Sequence, residues 1–128
     1  MVKVEKRIRV YKSGKVVEAR ALFDTGSRGN YFSKEFAEKI GYEVLEEPKL
    51  ISLAVKGKHA KLIGYTLVYL EMEEYILPEV EAIGVIEDLV RDTIIGLNIM
   101  EKYGMCIEKD EIKFKHTPLS LSLIHISE

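Results

Sequence analysis

The sequence predicts a mainly β domain, barrel-like in build, with two short helices. Apolar and charged residues alternate in short runs, the pattern of half-buried strands. Turn-forming residues punctuate those runs at close intervals. Helical spacing appears in two stretches, both brief. Many short strands with so little helix point to a barrel-like β architecture.

Residues 2–23 open the chain as a hairpin. Ile8 and Val10 alternate with charged neighbours, as do Val17, Ala19, Ala21 and Phe23 on the return, and Lys12-Ser13-Gly14-Lys15 supplies the turn. Asp24-Thr25-Gly26-Ser27-Arg28-Gly29-Asn30, rich in loop formers, follows the apolar end of that strand. A short helix is expected over 33–40, with Ser33 as N-cap, Phe32, Phe36 and Ile40 spaced by four, and Gly41 as C-terminal cap. Strands are expected over 50–56, 60–71 and 75–86, broken at Lys56-Gly57-Lys58 and Met72-Glu73-Glu74, with Pro78 at an edge or bulge. The charged run from Glu43 to Lys49 is expected to be a solvated face. Ile94-Ile95-Gly96 closes another strand, and a second helix runs from about Leu97 to Lys102, ending at Gly104. Residues 105–108 and 112–115 form a last hairpin around Lys109-Asp110-Glu111.

The chain has 128 residues, enough for one domain with a real core. Hydrophobic residues make up 47% and charged residues 31%, the balance of a globular protein and not of a disordered one. The net charge of -2 is interspersed, which argues against nucleic acid and anionic membrane as partners. No apolar run approaches the length of a membrane span. Met1-Val2-Lys3-Val4-Glu5-Lys6 is too charged for a secretory signal. A single cysteine, Cys106, excludes an internal disulfide and fits a cytoplasmic location; it is expected in the core. His59 and His116 lack partners at metal spacing and His125 lies in the C-terminal tail, so neither a metal nor a cofactor is expected. Residues 1–115 form the expected domain. The tail 116–128, with its Leu119-Ser120-Leu121-Ser122 alternation, follows a finished domain and is expected to be accessory or vector-derived.

Two features carry chemistry. Asp24-Thr25-Gly26 comes straight after Ala21-Leu22-Phe23; alone, it is equally well an ordinary turn. Ile94-Ile95-Gly96-Leu97-Asn98-Ile99-Met100 runs from a buried strand through a glycine into a helix; alone, it is an ordinary strand-to-helix junction. Together and in this order, they resemble the retropepsin-like family of aspartic peptidases. In that family an apolar strand ends in Asp-Thr/Ser-Gly-Ser/Ala, a flap hairpin follows, and an apolar-apolar-Gly strand opens the C-terminal helix. The resemblance spans about residues 8–115 and implies a small closed β-barrel of retropepsin (acid protease) type, homodimeric. It places the flap within residues 51–66.

The resemblance also implies a role for each residue. Metal-free peptide hydrolysis needs one carboxylate to activate water and a second carboxyl to protonate the carbonyl oxygen. The chain has one Asp-Thr-Gly and is too short for two such lobes, so Asp24 from each of two copies would form the dyad on a two-fold axis. Thr25 would bond the partner's loop, with a bond inside its own turn as the plainer role. Gly26 would allow close approach and aim an N–H at the carboxylates. Ser27 would touch the outer carboxylate oxygen or solvent, and Gly57 and Lys58 of the flap would contact an extended peptide. Ile83, Val85 and Ile86 are candidates for pocket walls, with core packing as the plainer role.

Two positions depart from retroviral proteases. Arg28 stands where those carry an acidic residue, and Leu97 where they carry an arginine, so the ion pair bracing their dimer is missing. The chain therefore looks like a cellular or prokaryotic relative. The alternative to an active endopeptidase is a catalytically weak or inactive module of the same fold, used for dimerisation or peptide binding.

Overall fold

The computed structural model describes residues 2–52 and 59–115. Strand β1 (Lys3–Lys12) returns as β2 (Lys15–Asp24) through Ser13-Gly14, both at positive φ (48° and 81°). That conformation matches the twist of the flanking strands, and Gly14 adopts it without a Cβ penalty. Val4, Ile8 and Val10 point inward with Ala19, Ala21 and Phe23 of the return strand, while Arg7, Arg9, Glu18 and Arg20 between them face out.

Six strands close a barrel. β2 pairs in parallel with β8 (Thr93–Ile95), β8 with β3 (Tyr31–Ser33), and β3 in parallel with β7 (Glu81–Ile86). β7 pairs with β5 (His59–Met72), and Arg9–Tyr11 of β1 meet Tyr69–Glu71 of β5 to shut the ring. β4 (Glu43–Ser52) and β6 (Tyr75–Ile76) hang on β5 outside it. The last hairpin, β9 (Met105–Glu108) with β10 (Glu111–Phe114), forms a sheet of its own. Its turn is shorter than expected: Lys109 and Asp110 alone make it, both at positive φ, so Glu111 joins the strand.

Two stretches differ from expectation. The strand expected over 75–86 breaks into β6 and β7, with Pro78 in the gap, where its missing N–H removes a ladder bond. Leu77 is instead buried, and its N–H donates to Leu70 O at 2.8 Å. The charged run from Glu43 is exposed, as expected, yet it forms the first half of β4. No residue of β4 is buried, so the strand carries no in–out alternation to recognise. Its register with β5 shifts between Val44 and Lys49, the gap that holds Pro48. The remainder of the expected 50–56 strand lies outside the described residues, as does the tail 116–128.

Helix α1 (Lys34–Ile40) closes the barrel beside Phe32. The Ser33 hydroxyl accepts the Phe36 N–H at 3.0 Å, and Gly41 ends the helix at φ 103°. The Phe32 and Phe36 rings meet edge-on, 5.0 Å between centroids. Burying a side chain of that size contributes roughly 1.5–3 kcal/mol. Helix α2 (Leu97–Lys102) buries Ile99 and Met100 and is tied to β7 at its far end. There, buried Glu81 accepts from the Tyr103 hydroxyl at 2.5 Å and from Lys102 Nζ at 2.9 Å. Ile83, Val85 and Ile86 are wholly buried and belong to the core, not to a pocket wall. Cys106 is half-buried on β9. Among the described residues, no helix is long and apolar enough to cross a membrane.

Candidate active site

Phe23 anchors the end of β2 in the core, and the chain turns at the next residue. Asp24 is only 4% exposed. Its main-chain carbonyl accepts the Ser27 N–H at 3.0 Å, and its Oδ1 accepts the Gly26 N–H at 2.8 Å. A carboxylate bonded to its own turn in this way has one fixed orientation. Gly26 thus supplies an amide to the carboxylate of its own chain.

Thr25 bonds neither within its own turn nor to a carboxylate. Its hydroxyl accepts the Val2 N–H at 2.8 Å and donates to Val2 O at 3.2 Å, and its amide donates to the same carbonyl at 3.0 Å. The Ser27 hydroxyl, expected against Asp24 or solvent, donates to Gly29 O at 2.9 Å and closes the loop on itself.

The second half of the loop is held by the strand-to-helix junction. Leu97 N–H donates to Ser27 O at 2.8 Å and Asn98 N–H to Arg28 O at 3.0 Å. Gly96 N–H donates to Asn30 Oδ1 at 2.7 Å, and Asn30 O accepts from Gly84 N–H at 3.1 Å. A Cβ on Gly96 would run into the carbonyls of Ser27 and Gly29, so only glycine lets the junction come this close. The two motifs that stood some 70 residues apart in the chain therefore form one main-chain lattice around Asp24. Tyr31 continues from Asn30 into β3, and burial pushes its phenol above the usual tyrosine range.

A cleft of ≈ 550 Å³ opens between the arms of β4 and β5 and the 88–91 loop. Leu50, Ala60 and Lys61 line one side, Leu89 and Val90 the other, and Ile94 the floor. Ile94 pairs with Leu22, two residues before Asp24, so the cleft reaches the strand that ends in Asp24. Arg91 closes one end and is tied to Glu5, which also takes Arg20 at 3.3 Å. Gly57 and Lys58, the expected flap residues, lie outside the described residues; the hairpin arms that lead to them pair as far as Ser52 and His59. Among the described residues, no three His, Cys, Asp or Glu side chains converge as metal ligands.

Two contributors had no signal in the sequence. Asn30 acts through a strand 66 positions away, and Val2 through a turn 23 positions away.

The family model for aspartyl proteases matches residues 8–99. No curated protein matches the chain significantly by sequence. Among solved structures, the retroviral protease-like domain of Ddi1 from Leishmania major has a TM-score of 0.62 at 20% identity, covering 88% of this chain and 90% of that one. A retropepsin-like aspartic protease from Rickettsia conorii has a TM-score of 0.55 at 18% identity, covering 83% and 78%. The EIAV protease, complexed with an inhibitor, has a TM-score of 0.56 at 12% identity, covering 80% and 89%. At these identities the likeness is one of fold.

Proposed function

The chain belongs to the aspartyl protease family and has its retropepsin-like fold, and on that premise we propose that it is an endopeptidase that works as a homodimer. The observation that carries this reading is Asp24: a buried carboxylate at a strand end, held by its own turn, one to a chain. Aspartic chemistry needs two carboxyls at one place, and a two-fold axis beside Asp24 supplies the second.

In such a dimer the two carboxyls lie too close to ionise together and share one proton. The ionised one takes a proton from a water held between them as that water attacks the scissile carbonyl carbon. The protonated one gives its proton to the carbonyl oxygen. Collapse of the tetrahedral intermediate then breaks the C–N bond: the leaving amine takes the proton held by the carboxyl that first acted as base, and a hydroxyl of the intermediate returns its proton to the other carboxyl, leaving a carboxylic acid and a dyad that again holds one proton. Thr25 and Gly26 complete the catalytic loop. Substrate contacts are assigned to Gly57 and Lys58 of the hairpin and to Ser27, which would exchange its bond to Gly29. The outer edges of β10 and of β1 over Lys3–Ile8 have no strand beside them among the described residues, and they are available to the partner's chain ends. The substrate is an extended peptide lying in the cleft under the hairpin arms. Domain limits of 1–115 and a cytoplasmic location complete the proposal.

Digestion of a broad peptide library over a range of pH, with wild type and Asp24→Asn side by side, tests it. Wild type is expected to cleave with a bell-shaped profile centred at acidic pH, because the shared proton is lost as pH rises. Asp24→Asn should lose at least about a hundredfold in rate, the scale of one general acid–base group, while keeping its fold and its dimer. Equal cleavage by both proteins would end the peptidase reading. Dimerisation without cleavage by either would favour a peptide-binding module.

A further inference from the structure

Val2 satisfies every donor that Thr25 has. A threonine offers one hydroxyl proton and one amide proton, and both go to Val2 O, at 3.2 and 3.0 Å, while the hydroxyl oxygen takes the Val2 N–H at 2.8 Å. Thr25 directly follows Asp24, and neighbouring Cα atoms are about 3.8 Å apart. A two-fold axis that brings two Asp24 carboxyls within hydrogen-bonding distance therefore brings both Thr25 residues to the interface as well. As they stand, the two would meet with all their donors turned inward, each toward its own N-terminal strand. An interface built that way has no bond from either Thr25 across the axis.

We infer that Val2 is a latch: in the separated chain it occupies the Thr25 groups that a second copy must take over, so the N-terminal strand and the partner chain compete for the catalytic loop. This rests on the dimeric reading above. Val2 is suited to letting go. The residue is 48% exposed, and it precedes the first residue of β1, so releasing it breaks no rung of the β1–β2 ladder. The competition makes assembly, and with it completion of the dyad, sensitive to whatever holds or frees the N-terminal segment.

The test uses the full chain with Asp24→Asn, to prevent self-cleavage, and reads the dimer dissociation constant by sedimentation equilibrium. Val2→Pro removes the N–H given to Thr25 and leaves the carbonyl, at a position where a strand tolerates proline. It should tighten the dimer by about threefold to tenfold, the scale of one net hydrogen bond. Val2→Ala keeps both backbone groups and should leave the constant unchanged. In a Thr25→Val background, where the hydroxyl is gone, Val2→Pro should have no effect. An unchanged or weakened dimer in Val2→Pro, with wild type still dimerising, would overturn the latch and make Val2 a permanent brace. If neither protein dimerises at high micromolar concentration, the dimeric reading itself fails and the latch with it.

Discussion

The Asp24 loop, residues 24–30, and the outer arm of the hairpin, β4, are both short exposed-looking segments in the sequence, yet they are held in opposite ways. The loop is tied by main-chain and side-chain bonds on three sides: to its own turn through Gly26, to α2 and the Gly96 that precedes it through Ser27, Arg28 and Asn30, and to Val2 through Thr25. Among the described residues, β4 is held on one side only, by β5, through a ladder interrupted between Val44 and Lys49, and none of its residues is buried. A segment with few buried contacts and an interrupted ladder opens at low free-energy cost, while one bonded to three elements moves only with them. On the proposed function this is a division of labour. The part that must hold a carboxylate within a fraction of an ångström is locked, and the part that must admit a peptide is loosely attached.

The sharpest way to break the comparison is at Gly96. Gly96→Ala puts a methyl into the carbonyls of Ser27 and Gly29, which are main chain and cannot rotate away. It should cost roughly 1–3 kcal/mol in urea unfolding, the usual range for overpacking, and should remove most activity by displacing Asp24. Wild-type stability in this variant would mean that the junction does not set the loop.

Asn30 tests the same lock more gently. Asn30→Ala leaves the Gly96 N–H without its acceptor, at a cost of about 1–3 kcal/mol. It should lower kcat with little change in KM. Asn30→Asp keeps an acceptor oxygen and should restore much of the loss. Equal damage from both substitutions would point to the side-chain amide and away from the bond to Gly96.

A pH series probes the support behind the lock, where α2 meets β7. The hydrogen bond to Glu81, helped by Glu79, raises the Lys102 ammonium above its usual 10.5. Burial, and then the bond to Glu81, raises the Tyr103 phenol above 10.0. Both groups are more readily protonated in the folded chain than in the unfolded one. Their contribution is therefore fully present below about pH 10 and is lost as pH rises through the higher folded values. The urea midpoint should fall between pH 9 and pH 11, and less steeply in Glu81→Gln. A midpoint that holds steady across that range in wild type would show that Glu81 does not brace α2.

The smallest effect is expected on the loose side. Leu50, on β4, is 75% exposed, and Leu50→Ala should change stability by less than about 0.5 kcal/mol. Because Leu50 lines the cleft, the same change should raise KM for peptides with bulky apolar residues while sparing kcat. A stability loss as large as that of Gly96→Ala would erase the distinction between the two regions.

What could be read from the sequence alone was whatever depends on neighbours. The β1–β2 turn at Ser13-Gly14, the Ser33 cap, the Gly41 and Gly104 ends and the strand leading into Asp24-Thr25-Gly26 all arise from contacts within a few residues, and residue type decides them. The order of the two motifs added the family resemblance, and with it the barrel. The tertiary structure decided the rest. β4 begins at Glu43 because β5 offers an edge to pair with, though none of its own side chains seeks the core. β7 begins afresh after Pro78 because Leu77 finds a buried place beside Leu70. Asn30 gains its role only when Gly96 arrives from 66 positions away, and Thr25 gains its partner only when Val2 folds back across 23. Bonds of that kind depend on the closure of the whole barrel, and no pattern of neighbouring residues encodes them.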